Sequence, residues 1–218
     1  MTKISFDFLG MTLLEPMALI LNWLLCAQAL LYFSKLNSAN SSPFLKYWRA
    51  FFLFFAVSTF LGGLSHLFFG YLGILGKIPG WIAAVVAISC IEMAVASKAE
   101  NSGTLRVIIQ GKFITTLLLL LLDFSFKWVM VHTGIGLVAI LGTASAIGIF
   151  KGQNHLWFFI MAILAMTLAL PFRLMDINLH LWFNRDDVGH TFMMITLFLF
   201  YRGIIETLED SLVIKPLS

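Results

Sequence analysis

Seven stretches of this chain are too apolar and too long to be ordinary core segments. A helix rises about 1.5 Å per residue, so roughly 20 apolar residues cross a hydrocarbon core of about 30 Å. Runs of that kind fall at Pro16–Leu36, Trp48–Gly70, Pro79–Ser97, Leu105–Leu122, Phe126–Phe150, His155–Phe172 and Val188–Thr207, with polar or helix-breaking residues between them. Hydrophobic residues make up 60% of the 218 and charged residues 11%, whereas a soluble domain carries about a quarter charged. The fold expected is therefore all-α: a polytopic membrane helix bundle of seven transmembrane helices, forming a single integral membrane domain over residues 1–218.

The apolar stretch from Phe113 to Phe150 is too long for one helix and must be divided. Division at "DFSFK" keeps Asp123 and Lys127 out of the hydrocarbon, where each would cost several kcal/mol; division at "HTG" is the alternative. The first run reads as a retained helix and not a signal peptide, because Lys3 is the only basic residue before it and Glu15 and Pro16 open it. No internal repeat or low-complexity tract is present.

Orientation follows from Lys and Arg in the short loops. With the N-terminus outside, Lys35, Lys46, Arg49, Lys98, Arg106, Lys112, Lys151, Arg202 and Lys215 fall inside, and Lys3, Lys77, Lys127, Arg173 and Arg185 outside. Nine against five predicts a multi-pass protein of the cell's inner or plasma membrane, N-terminus outside and C-terminus cytoplasmic. A net charge of +3 is ordinary for such loops, so the partners implied are membrane lipids and not nucleic acid. Cys26 and Cys90 lie inside apolar runs, as small packed hydrophobes do, and predict no disulfide.

In this topology His66, near the end of the second helix, and His190, in the first turn of the seventh, fall at nearly the same depth near the outer surface. His132, His180, Glu15, Asp123, Asp176, Asp186 and Asp187 fall toward that surface too; His155 alone among the histidines sits at the inner one. A water-accessible polar pocket at one end of the bundle would sort them so, and so would simple interfacial solvation. Ser58, Gly62 and His66 recur every four residues along one helix face, flanked by Gly63 and Ser65. That face suits either a site or close helix packing with a structural hydrogen bond. In "NRDDVGH", Asp186 and Asp187 stand four and three residues before His190. Either acid can orient the imidazole, share a cation with it, or cap the helix N-terminus. Asn22 and Glu92 lie within helices and read as structural polar residues, although an intramembrane carboxylate is a functional candidate by default.

Seven helices, a histidine near the end of the second and a histidine-containing opening of the seventh resemble the membrane hydrolase superfamily of alkaline ceramidases and adiponectin-receptor-like proteins. That superfamily holds zinc with one histidine of helix two and an H-x-x-x-H pair of helix seven, supported by a serine four residues before the first histidine and an aspartate about eleven after it. Carried over, the metal ligands would be His66, Asp186 in place of the pair's first histidine, and His190. The serine position is Gly62, with Ser58 one turn earlier and Ser65 beside the histidine, and the aspartate position is Lys77. Two imidazoles and a carboxylate make an acceptable zinc site with an open position for water.

Two readings from different classes follow. One is a divergent zinc-dependent lipid amide or ester hydrolase, with His66, Asp186 and His190 on the metal and Ser58, Ser65 and Asp187 as catalytic groups. The other is a non-catalytic lipid-binding or sensing membrane protein whose polar layer is a hydrogen-bond network.

Overall fold

The computed structural model describes residues 4–36 and 42–213; Lys3 and Lys215, which enter the loop tally, lie outside them. Seven helices are long and apolar enough to cross a membrane. They are α1 (Pro16–Lys35), α2 (Pro43–Leu67), α3 (Leu75–Ala96), α4 (Ser102–Asp123), α5 (Lys127–Phe150), α6 (Asn154–Leu174) and α7 (Arg185–Val213). The chain divides between Asp123 and Lys127, where Phe124 takes a left-handed φ of 46° and stops α4. Asp123 and Lys127 then form an ion pair of 2.6 Å at the helix ends.

Local capping moves several boundaries from their expected places. Helix α2 starts at Pro43, five residues before Trp48, because Ser42 accepts a hydrogen bond from the Leu45 amide and Pro43 suits the first helical position. It ends at Leu67, and a separate turn of helix, Phe69–Leu72, follows. Helix α7 starts at Arg185 instead of Val188, since the Asn184 side chain accepts from the amides of Asp186 and Asp187 while Asp187 Oδ2 accepts from the Asn184 amide at 2.9 Å. This reciprocal arrangement satisfies donors that the helix itself cannot.

A β-hairpin absent from the sequence reading precedes α1. Strands β1 (Ser5–Phe8) and β2 (Met11–Leu14) pair antiparallel through the turn Leu9–Gly10, whose φ values of 50° and 78° are those of a mirror-image two-residue turn. The Glu15 amide donates to Ile4 and the Thr12 amide to the Tyr71 hydroxyl, tying the hairpin across the ends of α1 and α2. The end of the bundle it covers is called here the hairpin end.

Away from that end the core is aromatic. Trp48 of α2 is fully buried, stacked on Phe159 of α6 at 5.4 Å and edge-on to Phe51, with Phe200 of α7 also at 5.4 Å. Helix α4 is peripheral: Ile109, Thr116 and Leu120, along one stripe, are its buried residues. Helices α2 and α3 meet closely where Ser58 donates to the Gly80 carbonyl at 2.8 Å. A Cβ at Gly80 would stand 3.2 Å from the Ser58 carbonyl oxygen and 3.4 Å from the Gly62 nitrogen. Both are backbone atoms, so a side chain there must separate the helices. Gly80→Val is expected to destabilise the bundle by about 1–3 kcal/mol, read as a lowered thermal midpoint in detergent, whereas Gly111→Ala, with open space around it, leaves the midpoint unchanged or raised.

Candidate functional site

Polar side chains from the β2–α1 junction, α2, the start of α3, α7 and the α6–α7 loop converge at the hairpin end around a cavity of about 240 Å³. Its walls include Glu15, His66, Lys77, Asp176, Asn184, Arg185, Asp186 and Asp187, with Trp182, Leu181 and Met17 as apolar members. Glu15, between β2 and α1, has a left-handed φ of 49°. For a residue with a Cβ this conformation costs on the order of 1 kcal/mol. It carries the carboxylate to His66, whose Nδ1 lies 2.9 Å from Glu15 Oε2.

His190 lies deeper. Asn22 Nδ2 donates both to the Ala18 carbonyl at 2.8 Å and to His190 Nε2 at 3.0 Å, which leaves the ring proton on Nδ1. Glu15 immediately precedes α1 and Asn22 lies on it seven residues later, about 10 Å along a helix, so the two imidazoles are held at different levels. Gly62 makes the lower level possible: a Cβ there would meet Asn22 Oδ1 at 3.2 Å. Asp187 is 1% exposed; its Oδ2 caps α7, and its Oδ1 meets no hydrogen-bonding partner among the described residues.

The other predicted residues are differently placed. Asp186 pairs with Arg173 at 2.7 Å, and Asp176 with Arg185 at 2.9 Å. Ser58 is spent on Gly80, and Ser65 donates to the Gly62 carbonyl of its own helix. His180 accepts from the Trp182 amide in the exposed loop. Among the described residues, no three His, Cys, Asp or Glu side chains are grouped so as to hold a metal ion. His66, Asp186 and His190 thus do not fit as one zinc donor set in this arrangement.

His132 does not join the pocket. It is 1% exposed and sits between α3, α4 and α5, with Ser89 on Nε2 at 3.1 Å and Thr116 on Nδ1 at 3.0 Å. Beside it, Lys112 pairs with Glu92 at 2.6 Å. Lys112 is the eleventh of the 22 residues of α4 and not a loop residue, so it leaves the loop tally without reversing the excess. The sequence signal for this second polar layer was present: a lysine, a glutamate and a histidine inside apolar runs, each at a helix position from which pairing within the bundle is the low-energy outcome.

The profile of a family described as a family of unknown function, DUF6962, matches residues 17–209. The chain belongs to that family. The match runs from the first turn of α1 almost to the end of α7, so the family is the seven-helix unit, with the hairpin and Glu15 preceding it. None of the curated proteins and none of the solved structures matches the chain.

Replacing Asn22 by Ala leaves a buried imidazole nitrogen without its donor and is expected to cost about 1–3 kcal/mol. Combined with His190→Ala, the loss should be smaller than the sum of the single losses by at least about 0.5 kcal/mol. Thermal unfolding of the two singles and the double checks this; strict additivity would show that the contact does not contribute.

Proposed function

We propose that this protein is a non-catalytic membrane protein that holds the amine-bearing headgroup of a membrane lipid in the cavity at the hairpin end. The observation that carries the reading is Asp187, a wall residue of the cavity whose buried carboxylate oxygen Oδ1 has no donor among the described residues. Buried carboxylate oxygens are hydrogen-bonded in stable structures, and an ammonium group supplies such a donor. Glu15 and His66 flank the same space, while Asp176 and Asp186 already have arginine partners.

The rim supports a lipid over a soluble amine. Phe8 and Leu9 at the hairpin tip, Tyr71 and Leu72 after α2, Leu75 at the start of α3, Leu174 at the end of α6, and Met175, Leu179, Leu181 and Trp182 in the α6–α7 loop are all exposed. Apolar and aromatic side chains around a polar cavity at a helix-end layer suit the interface between headgroups and acyl chains. The zinc hydrolase reading is weaker, because His66 pairs with Glu15 and Asp186 with Arg173 instead of facing a common ion. The loop charges favour an N-terminus outside and a C-terminus in the cytoplasm of an inner or plasma membrane.

In native mass spectrometry, the protein is expected to retain phosphatidylethanolamine over phosphatidylglycerol by about tenfold, about 1.4 kcal/mol. Asp187→Asn keeps the helix cap and should abolish that preference. Equal retention of the two lipids would sink the reading. Stoichiometric zinc lost on His66→Ala and on His190→Ala would favour the hydrolase instead. For orientation, a reporter fused after Ser218 should be cytoplasmic and one at the N-terminus should not.

A further inference from the structure

The second polar layer lies outside the cavity. Glu92 of α3 is 0% exposed, and among the described residues its only close charge is Lys112 Nζ, 2.6 Å from Oε1, while its other oxygen, Oε2, meets no hydrogen-bonding partner. Lys112 Nζ also donates to the main-chain carbonyl of His132 at 3.0 Å. Thr116 Oγ1 is within hydrogen-bond distance of both the Lys112 carbonyl and His132 Nδ1, and Ser89 Oγ is within reach of His132 Nε2. One acid, one base and one imidazole are thereby linked between three helices. A purely adhesive role would be met by hydroxyl pairs at far lower desolvation cost.

The cluster abuts an unusual backbone. Directly after His132 and Gly134, α5 is π-helical over Ile135–Gly142, a rare form that occurs mostly as short insertions within α-helices and frequently at functional sites. Gly136 opens this stretch against the carboxylate: a Cβ there would stand 2.9 Å from Glu92 Oε1 and 2.6 Å from Ile88 Cγ2. Lys112 therefore bridges a buried carboxylate and the carbonyl where the helix changes its pitch.

We propose that Glu92, with Lys112 and His132, is an intramembrane proton-binding site whose occupancy is read by the π-helical stretch of α5. A proton needs no cavity to bind. Neither the cavity at the hairpin end nor the apolar one of about 30 Å³ near Phe51 and Phe200 is lined by Glu92, Lys112 or His132. A metal cation would face the ammonium, and an anion the carboxylate. On binding, one proton from water forms an O–H bond on Glu92, the carboxylate becomes a neutral acid, and the cluster gains one positive charge. Lys112 then loses its ionic partner and keeps the His132 carbonyl, so its hold on α5 changes.

No other ionisable group competes from the packed elements. Helix α2 has none between Arg49 and His66, α5 none between His132 and its end at Phe150, and α6 none between His155 and Arg173. Arg106 and Asp123 stand toward the ends of α4, Lys77 and Lys127 at the starts of α3 and α5, and Cys90 packs against the main core. The inference is independent of the lipid reading, since the two sites share no residue.

The test is infrared titration of the full chain in lipid nanodiscs, with glutamate carrying carbon-13 in its carboxyl group. Acidification should raise a carboxylic-acid carbonyl band of a buried, weakly hydrogen-bonded group, lost in Glu92→Gln. In Lys112→Met the band should already be present at the alkaline end, because no ammonium remains to hold the carboxylate ionised. Hydrogen exchange over Ile135–Gly142 should change at least twofold across the same pH interval in the wild type and stay flat in Glu92→Gln. Absence of any such band in the wild type overturns the proposal even if both variants fail to fold. A band unaltered by Glu92→Gln, or exchange that ignores pH, overturns it equally.

Discussion

Hydrocarbon offers no hydrogen bonds, and this governs the whole molecule. Each backbone N–H and C=O within the membrane must be satisfied inside its own helix, which makes the spanning segments helical whatever their other preferences. The same rule then acts on side chains. Asn22 and His190 bond each other, Ser58 bonds Gly80, and Glu92 is paired with Lys112, because water is not there to serve any of them. Glycines at 62, 80 and 136 let these groups meet by bringing backbone to within contact of a neighbour.

Two polar layers result, and they differ in what encloses them. The one at the hairpin end is open to a cavity and includes ion pairs on its rim, such as Arg173 with Asp186, that are partly exposed. The one between α3, α4 and α5 is sealed, with Glu92 and His132 shielded almost completely and Lys112 14% exposed at its side chain. Exposed ion pairs in the first layer contribute little to stability. In the second, loss of either charge strands the other in a low-dielectric interior.

The helices were legible in the sequence because apolar length is a strong, local signal: seven runs became seven helices, and the break at Asp123–Lys127 followed from the cost of burying those charges. The hairpin was not, since its turn carries Leu9 at the first position, where asparagine, aspartate or glycine is usual, and only Gly10 at the second follows the pattern. Of the candidate site, His66 and Asp187 line the cavity, while His190 lies deeper, against Asn22 and at a different level from His66. Their partners escaped notice because partnership across helices depends on rotation about each axis, which spacing along one helix does not fix. His132 shows this: its depth agreed with the outer group, while its azimuth turned it to Ser89 and Thr116.

The position of Lys112 also bears on how the chain enters the membrane as it is made. A lysine at a helix centre costs about 2.5–3.5 kcal/mol on insertion, and α4, with few buried residues, has little tertiary packing to offset it. Its counter-charge, Glu92, emerges earlier on α3, across a connection of only a few residues. The two helices are thus suited to leave the insertion machinery together as an antiparallel pair, each neutralising the other before lipid surrounds them. A chain with either charge removed would have to place the remaining one alone, so defects there would be felt first as failed membrane integration during synthesis.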